Sequence, residues 1–267
     1  MTTITGATRL NVIVGDPIAQ VKSPAGMTAA FAACGHDGVV VPVRVSAADL
    51  GDFLHVADRL PNLDGIIVTV PHKFACRKHC ASVTERGAFL NAVNLLRRRL
   101  DGRWHGETVD GLGFLAAVKA QGYDPSGKRA LLIGAGGAGS AIALALVEAG
   151  VRELAIHDGD TARRDDLISR LSARGPAPIT TGSPDPTGFD LVANATPAGM
   201  REGDPLPVEV DKLSLETFVG CVITVPAVSP LIGAARERGC RTSTGNEMYR
   251  ALQTAMVEFL LAGERMG

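Results

Sequence analysis

The chain has 267 residues, of which 46% are hydrophobic and 21% charged, and its formal net charge at pH 7 is −1. That length is sufficient for two domains, and the near-neutral charge excludes the electrostatic attraction by which proteins bind nucleic acids or anionic membranes. No apolar run reaches the roughly 18 residues of a membrane span, and the first ten residues lack the basic and apolar segments of a secretory signal.

The first part of the chain alternates strand-like and helix-like segments. Strands are predicted over 10–15, 39–45 and 65–70, and helices over 23–35 and 46–60. Ser23 and Ser46 are predicted helix N-caps, Gly35 a predicted helix stop, and Pro42 favours an edge strand. The β-α-β-α-β order predicts a parallel sheet with crossover helices.

The pattern changes near residue 92. Two short strands joined at Asp101-Gly102 predict a hairpin, and a helix is predicted over 110–122. A second α/β series then begins, with strands that are almost wholly apolar, as expected when both faces of a sheet are covered. The Pro- and Gly-rich stretch 174–188 predicts a surface connection. A last helix, from about Met248 to Ala262, has no strand after it and is free to return to the first domain.

The five cysteines are odd in number and scattered along the chain. Cys76 and Cys80 would share a helix face, and His72 and His79 are the nearby candidates to complete a zinc site. We expect no metal, reduced thiols and a cytoplasmic location.

The stretch "LLIGAGGAG" follows a predicted strand and opens a predicted helix. Gly134, Gly136 and Gly139 have G-x-G-x-x-G spacing, which lets a pyrophosphate rest on a helix N-terminus. The alternative is that small residues only pack helix against strand. We predict dinucleotide contacts from five consecutive residues: Gly134, Ala135, Gly136, Gly137 and Ala138.

Asp158 ends the next predicted strand, 24 residues after Gly134. A carboxylate there accepts hydrogen bonds from ribose hydroxyls and repels a 2′-phosphate. Gly159 and Asp160 follow it, where an NADP site usually has an arginine. We therefore expect NAD to be favoured, with NADP possible because Arg163 and Arg164 follow on the next helix and could still reach a 2′-phosphate. The alternative is that both arginines are only solvated.

A second polar turn, "NATPAGM", follows the strand "FDLVA". A turn at the carboxyl end of a strand of this sheet belongs to the cofactor crevice, so Thr196, Pro197 and Met200 are predicted cofactor contacts. The alternative is a plain connection between strand and helix.

Seven stretches occur in this order along the chain: "GDPIAQVKSP", "VTVPHK", "AVN", "GETVDG", "GAGGAG", "NATPAGM" and "GNEM". Their identity and order resemble the shikimate dehydrogenase family, including its quinate-oxidising relatives, over essentially the whole chain. The resemblance implies an NAD(P)-dependent oxidation of a ring secondary alcohol to a ketone. It also implies two α/β domains around a cleft, with the last helix returning to the first domain.

The predicted fold class is therefore α/β with two domains. Residues 1–105 plus 241–267 would form an open α/β substrate domain, and residues 106–240 a Rossmann-like, doubly wound NAD(P)-binding domain. Its partners would be a small-molecule substrate and at most a second copy of the chain, as a monomer or homodimer, with no nucleic acid and no membrane.

By the resemblance, Lys73 and Asp110 form the catalytic pair. Alcohol oxidation needs a base for the hydroxyl proton, and an ammonium can stabilise the developing alkoxide. The alternative is a surface lysine and an aspartate that caps a helix. The resemblance further implies that Ser23, Thr69 and Asn94 contact the substrate. It also implies that Gly245 contacts the cofactor.

The chain departs from the family pattern in the expected substrate pocket. Apolar or smaller residues replace polar ones at five places: Val21, Ile67, Val109, Cys221 with Thr224, and Leu252, beside which Gln253 is one residue further on. We predict a retained reaction with a changed or relaxed substrate. The alternatives are an ordinary shikimate dehydrogenase and a non-catalytic cofactor-binding protein; retention of Lys73 and Asp110 argues against the second.

Overall fold

The computed structural model describes residues 3–262. The chain divides into two compact units: unit 1 comprises the described residues of Met1–Val109 and Gln253–Gly267, and unit 2 comprises Asp110–Leu252. The sequence predicted a substrate domain over 1–105 plus 241–267 and an NAD(P)-binding domain over 106–240. The assignment of these functions to the two domains stays a prediction. Residues 1–2 and 263–267 of that prediction lie outside the described part.

Unit 1 contains a mixed sheet. Its strands are β1 (Arg9–Gly15), β2 (Gly38–Arg44), β3 (Leu63–Val68), β4 (Ser82–Val83), β5 (Leu95–Arg98) and β6 (Trp104–Glu107). Its helices are α1 (Ser23–Ala33), α2 (Leu50–Ala57), α3 (Lys73–His79) and α4 (Glu85–Leu90). The strand order is β2-β1-β3-β5-β6-β4. Strand β1 pairs in parallel with β2 and β3, and the antiparallel β5–β6 pair is the hairpin predicted at Asp101-Gly102. Pro42 lies on the edge strand, as predicted.

The two predicted serine caps are wrong in detail. Helix α1 begins at Ser23 itself, preceded by Lys22, which makes no side-chain cap. Helix α2 begins only at Leu50, after a turn over residues 47–49. The Ser46 hydroxyl donates to the Asp49 carboxylate at 2.6 Å and accepts from the Asp49 amide, three residues on, at 3.2 Å, so Ser46 caps this turn and not the first residue of the helix.

Unit 2 is built on a fully parallel sheet. Its strands are β7 (Arg129–Ile133), β8 (Glu153–His157), β9 (Ile179–Thr181), β10 (Leu191–Asn194), β11 (Phe218–Cys221) and β12 (Thr242–Ser243). Its helices are α5 (Asp110–Ala120), α6 (Gly137–Glu148), α7 (Thr161–Ser172), α8 (Pro230–Glu237) and the first half of α9 (Gly245–Leu261). The strand order is β12-β11-β10-β7-β8-β9, and α6, α7 and α8 connect β7 to β8, β8 to β9 and β11 to β12, which confirms the predicted doubly wound, Rossmann-like fold.

Two predictions for unit 2 need correction. The stretch 174–188 is not only a connection, because Ile179–Thr181 pairs in parallel with β8. The last helix begins at Gly245, before the predicted Met248, because Thr244 and Glu247 form a capping box. The Thr244 amide donates to the Glu247 carboxylate at 2.7 Å, and the Glu247 amide donates to the Thr244 hydroxyl at 3.3 Å. The signal Thr-x-x-Glu was present in the sequence.

Helix α9 is divided between the units. Its residues up to Leu252 belong to unit 2, and those from Gln253 belong to unit 1. In unit 1, the Leu260 side chain lies so close to Gly65 of β3 that a Cβ atom there would be 2.7 Å from it.

No helix within residues 3–262 is both long and apolar enough to cross a membrane. Over the same residues, no group of three or more His, Cys, Asp or Glu side chains is placed to hold a metal ion.

Candidate active site

The predicted dinucleotide residues of unit 2 follow three neighbouring parallel strands. Gly134 follows β7, Asp158 follows β8 and Thr196 follows β10. The Gly134 amide donates to the His157 carbonyl at 2.7 Å, and a Cβ atom on Gly134 would lie 2.8 Å from the Thr196 methyl group. The structure therefore brings the glycine loop, the acidic residue and the second polar turn together at the carboxyl edge of one sheet, where such folds bind ligands.

The glycines of the loop between β7 and α6 have different structural roles. Gly134 has a φ of +100°, which favours glycine. Gly139 permits close packing, because a Cβ atom there would lie 1.8 Å from the Gly134 carbonyl oxygen. Gly136 precedes α6, and a Cβ atom there would meet nothing within 4 Å. Open space before the N-terminus of α6 is suited to a pyrophosphate. The loop is therefore compatible with dinucleotide binding, and it also shows the close packing that was the alternative interpretation.

Asp158 is buried at the end of β8 and is surrounded by donors. One carboxylate oxygen accepts from the Ala135 amide at 2.6 Å and from Arg163 Nε at 3.3 Å. The other accepts from the Asp160 amide at 2.8 Å and from Arg163 Nη2 at 2.7 Å. These four donors match the roughly four lone-pair positions of a carboxylate. A ribose hydroxyl must therefore displace one of them, and the Arg163 side chain, 44% exposed, is the movable one.

The charge of Asp158 is secure at neutral pH. Burial raises the pKa of this carboxyl, but hydrogen bonds from Arg163 and from the Ala135 and Asp160 amides outweigh it, and the pKa lies below its ordinary value of 3.8. Because the folded pKa is depressed, the group stabilises the fold above about pH 3.8 and loses that contribution as the pH falls through the folded pKa.

The turn after β10 is held by its first residue. Asn194 Oδ1 accepts from the Thr196 amide at 3.0 Å and from the Thr196 hydroxyl at 2.7 Å. The Met200 amide donates to the Pro197 carbonyl at 3.0 Å. Met200 and the adjacent Gly199 line a cavity of about 340 Å³ within unit 2. The cofactor contacts of Thr196, Pro197 and Met200 stay predictions.

In unit 1, hydrogen bonds link the segments that carry Thr69, Lys73 and Asn94. Lys73 is half-buried and is the first residue of α3. The Val93 amide donates to the Lys73 carbonyl at 3.0 Å, and the Val68 amide donates to the Asn94 carbonyl at 2.7 Å. Thr69 directly follows Val68. Ser23 is buried at the start of α1.

Asn94 also holds the segment that leads to Asp110. The Asn94 side-chain Oδ1 accepts from the Val109 backbone amide at 3.1 Å, and the Asn94 backbone amide donates to the Glu107 carbonyl at 2.9 Å. Asp110, the next residue, is buried and begins α5. The sequence predicted a substrate contact for Asn94 and missed this structural role, because no local pattern shows which segment a side chain reaches.

The residues that depart from the family pattern are mostly packed in the interior. Ile67, Val109, Cys221 and Leu252 are all at most 6% exposed. Leu252 covers Gly113 of α5, where a Cβ atom would lie 2.2 Å from the leucine Cγ, whereas Gln253 is only half-buried. Cys221 Sγ accepts from Asn194 Nδ2 at 3.3 Å and from the Ser229 hydroxyl at 3.4 Å.

Gly245 has a packing explanation of its own. A Cβ atom there would lie 2.4 Å from the carbonyl oxygens of Val222 and Ile223. Its contact with a cofactor stays a prediction.

Comparison with known proteins gives concordant matches over both units. Residues 13–96 match the shikimate dehydrogenase substrate binding domain. The chain is 36% identical to a shikimate dehydrogenase (NADP(+)) from Rubrobacter xylanophilus, over 92% of this chain and 88% of that protein. The shikimate 5-dehydrogenase of Listeria monocytogenes, solved in complex with shikimate and NAD, is similar with a TM-score of 0.85 and 28% identity, over 97% of this chain and 93% of that one. The 5-ketofructose reductase of Gluconobacter sp. strain CHM43 is similar with a TM-score of 0.82 and 30% identity, over 96% and 93%.

Proposed function

The chain belongs to the shikimate dehydrogenase family, the family that its motifs predicted, and is an oxidoreductase acting on a CH–OH group; from this premise we propose that it transfers hydride between a nicotinamide dinucleotide and the ring hydroxyl of a shikimate- or quinate-like compound. The observation that carries the proposal is that hydrogen bonds within unit 1 join the segments of Lys73 and Asn94 to Val109, the residue directly before Asp110 in the chain.

In the proposed mechanism, Lys73 and Asp110 handle the proton. A nicotinamide dinucleotide held at the glycine loop after β7 would supply the acceptor for the hydride of the carbinol carbon. One member of the Lys73–Asp110 pair takes the hydroxyl proton as the ketone forms, and the lysine charge favours the oxyanion that develops on the oxygen. Ser23, Thr69 and Asn94 orient the substrate. Asn94 would do so through its amide nitrogen, since its oxygen accepts from Val109.

For the cofactor, we propose a preference for NAD. The name of the Rubrobacter relative does not support this preference, whereas the Listeria relative was solved with NAD. The support from this chain is the ionised carboxylate of Asp158, which repels a 2′-phosphate. Arg163 opposes that effect, because it pairs with Asp158 and is exposed enough to reach a phosphate. The choice of cofactor therefore depends on the Asp158–Arg163 pair.

We expect Arg163→Ala to raise the ratio of kcat/KM for NAD over NADP by at least about tenfold, the effect of roughly 1.4 kcal/mol. The variant removes the cation available to a 2′-phosphate and leaves two backbone amides on Asp158. Steady-state kinetics with both nucleotides measures the ratio. Arg164→Ala on the same helix is the matched control, because Arg164 pairs with Asp165. An unchanged ratio in Arg163→Ala would remove Arg163 from cofactor selection.

For the substrate, we propose a compound that differs from shikimate. Ile67, Val109 and Leu252 stand where the family pattern has polar residues, and each lost buried hydrogen bond costs about 1–3 kcal/mol. A second candidate is a neutral polyhydroxy ketone. The observation in its favour is Val21, which replaces one of two serines expected to bind a carboxylate, and one relative is a 5-ketofructose reductase.

A substrate panel tests these proposals. It contains shikimate, quinate, amino-substituted analogues, simple cyclic alcohols and 5-ketofructose, each assayed with both nucleotides in the appropriate direction. We expect kcat/KM for shikimate to be lower than for another member of the panel. A shikimate value near about 10⁵ M⁻¹s⁻¹, typical of an enzyme with its own substrate, would instead identify an ordinary shikimate dehydrogenase. Nucleotide binding without turnover of any compound would favour a non-catalytic protein.

A further inference from the structure

Glu107, at the end of β6, has a buried carboxylate with no role in the mechanism proposed above. The residue is 7% exposed. Its Oε1 accepts from the Thr84 hydroxyl at 2.7 Å and from the Thr108 backbone amide at 2.7 Å. Its Oε2 lies 3.4 Å from the Arg86 guanidinium, a long contact. Burying a carboxylate is unfavourable unless it is hydrogen-bonded, so this arrangement fixes the groups around it.

The two residues before Asp110 are held by side chains instead of by a β-ladder. The Thr108 amide donates to the Glu107 carboxylate, and the Val109 amide donates to Asn94 Oδ1. The Thr108 hydroxyl is buried and has no hydrogen-bond partner among residues 3–262. This hydroxyl therefore does not help to hold the Thr108–Val109 segment. The side chains of Glu107 and Asn94 accept the hydrogen bonds from the two backbone amides of the segment.

The same carboxylate oxygen also reaches the start of α4. Thr84 is the N-cap of that helix and accepts from the Gly87 amide at 3.2 Å. Helix α4 ends at Leu90, and Asn91, with a φ of 50°, turns the chain toward Asn94. One oxygen of Glu107 thus joins the segment that leads to Asn94 and the segment that leads to Asp110.

We propose that Glu107 is a positioning residue for the reaction. Its carboxylate fixes the Thr108–Val109 backbone and so sets the direction in which Asp110 faces its reaction partners. The inference rests on the proposed catalytic role of Asp110. Glu107 itself neither touches the substrate nor exchanges a proton with it. Since a displacement of about 1 Å at a reacting group can cost roughly 100-fold in rate, loss of this hold should be visible in turnover.

The placement of the hydrogen bonds gives a matched pair of variants. Both short bonds fall on Oε1, so Glu107→Gln keeps an acceptor at that position, without the negative charge, and loses the long contact with Arg86. Glu107→Leu has a similar volume and keeps the interior filled, but it leaves the Thr108 amide without its acceptor. We expect kcat to fall by about 10- to 100-fold in Glu107→Leu and by less than about threefold in Glu107→Gln, with KM for the dinucleotide unchanged in both.

The control for loss of a paired carboxylate is Glu153→Leu. Glu153 pairs with Arg129 at 2.7 Å, at the opposite end of β8 from Asp158. We expect wild-type kcat in this variant. If loss of any paired glutamate lowered kcat to the same extent, the effect of Glu107→Leu would be one of general stability and the positioning role would be rejected.

Amide hydrogen exchange measures how firmly the Thr108–Val109 backbone is held, and it does not require any turnover. We expect the Thr108 and Val109 amides to be protected in the wild-type protein and in Glu107→Gln, and to exchange at least about tenfold faster in Glu107→Leu, while the β7 amides are unchanged. Unprotected wild-type amides overturn the proposal even if Glu107→Leu fails to fold, and so does wild-type kcat in a folded Glu107→Leu. If the wild-type amides are protected but the protein turns over no compound of the panel, the proposed function is rejected, whereas the role of Glu107 in holding the Thr108–Val109 backbone is not.

Discussion

Lys73→Ala should lower kcat for the best substrate by roughly 10²- to 10⁴-fold, the usual contribution of a general acid–base group. An alanine can neither transfer the hydroxyl proton nor favour the charge that develops on the oxygen. The side chain starts α3 in unit 1, so dinucleotide affinity should be unchanged. Rapid-mixing measurement of the hydride-transfer step and a nucleotide titration give both quantities.

Two further variants sharpen this expectation. Lys78→Ala changes an exposed lysine on the same helix and should leave kcat unchanged. Lys73→Arg keeps a positive charge but holds its proton too tightly to transfer it. Recovery of activity in Lys73→Arg would mean that charge alone matters at this position, and undiminished turnover in Lys73→Ala would exclude Lys73 as an acid–base residue.

Gly136→Val should weaken dinucleotide binding by at least about 100-fold, or roughly 2.7 kcal/mol. The expected loss equals one or two charge-assisted hydrogen bonds of about 1.5–3 kcal/mol each, because the valine side chain would occupy the space in front of α6 that a pyrophosphate needs. Nothing lies within 4 Å of a Cβ atom at this position, and its φ of −70° suits any residue, so the thermal midpoint should fall only by the modest cost of replacing a glycine at a helix N-cap. Isothermal titration measures the dinucleotide affinity, and thermal unfolding measures the midpoint.

Gly139→Ala separates the two uses of glycine in this loop. Its Cβ atom would lie 1.8 Å from the Gly134 carbonyl oxygen, so this smaller change should lower the unfolding midpoint by more than Gly136→Val does. If Gly136→Val bound the dinucleotide with wild-type affinity, the loop would have only the packing role that was the alternative from the sequence.

The fold was largely predictable because its evidence is local. The apolar strands, the Gly35 stop, the Asp101-Gly102 hairpin and the edge position indicated by Pro42 follow from patterns a few residues long. The errors concern short segments. Ser46 caps the turn of residues 47–49 that precedes α2 and not the helix itself, and β9 is a short strand within a stretch rich in Pro and Gly.

The candidate site was only half predictable, because its chemistry depends on distant pairings. The end-of-strand position of Asp158 could be inferred from the sequence. Its saturation by four donors could not, since the Ala135 amide lies 23 residues away. The same holds for Asn94, whose side chain meets Val109. The sequence alone does not decide whether Leu252 or Gln253 faces the substrate. The packing shows only that Leu252 covers Gly113 of α5, a contact between two helices that no local pattern predicts.

The division of α9 has a consequence for how the protein is made. A ribosome releases the chain from its N-terminus, and domains are generally completed in that order. Here unit 2 is one continuous segment, whereas unit 1 includes Gln253–Leu261, synthesised after all of unit 2. Until those residues emerge, Gly65 and its neighbours lack the cover of Leu260. The unit begun first is therefore finished last, and until α9 is synthesised the nascent chain carries the unit 1 sheet without its cover at Gly65.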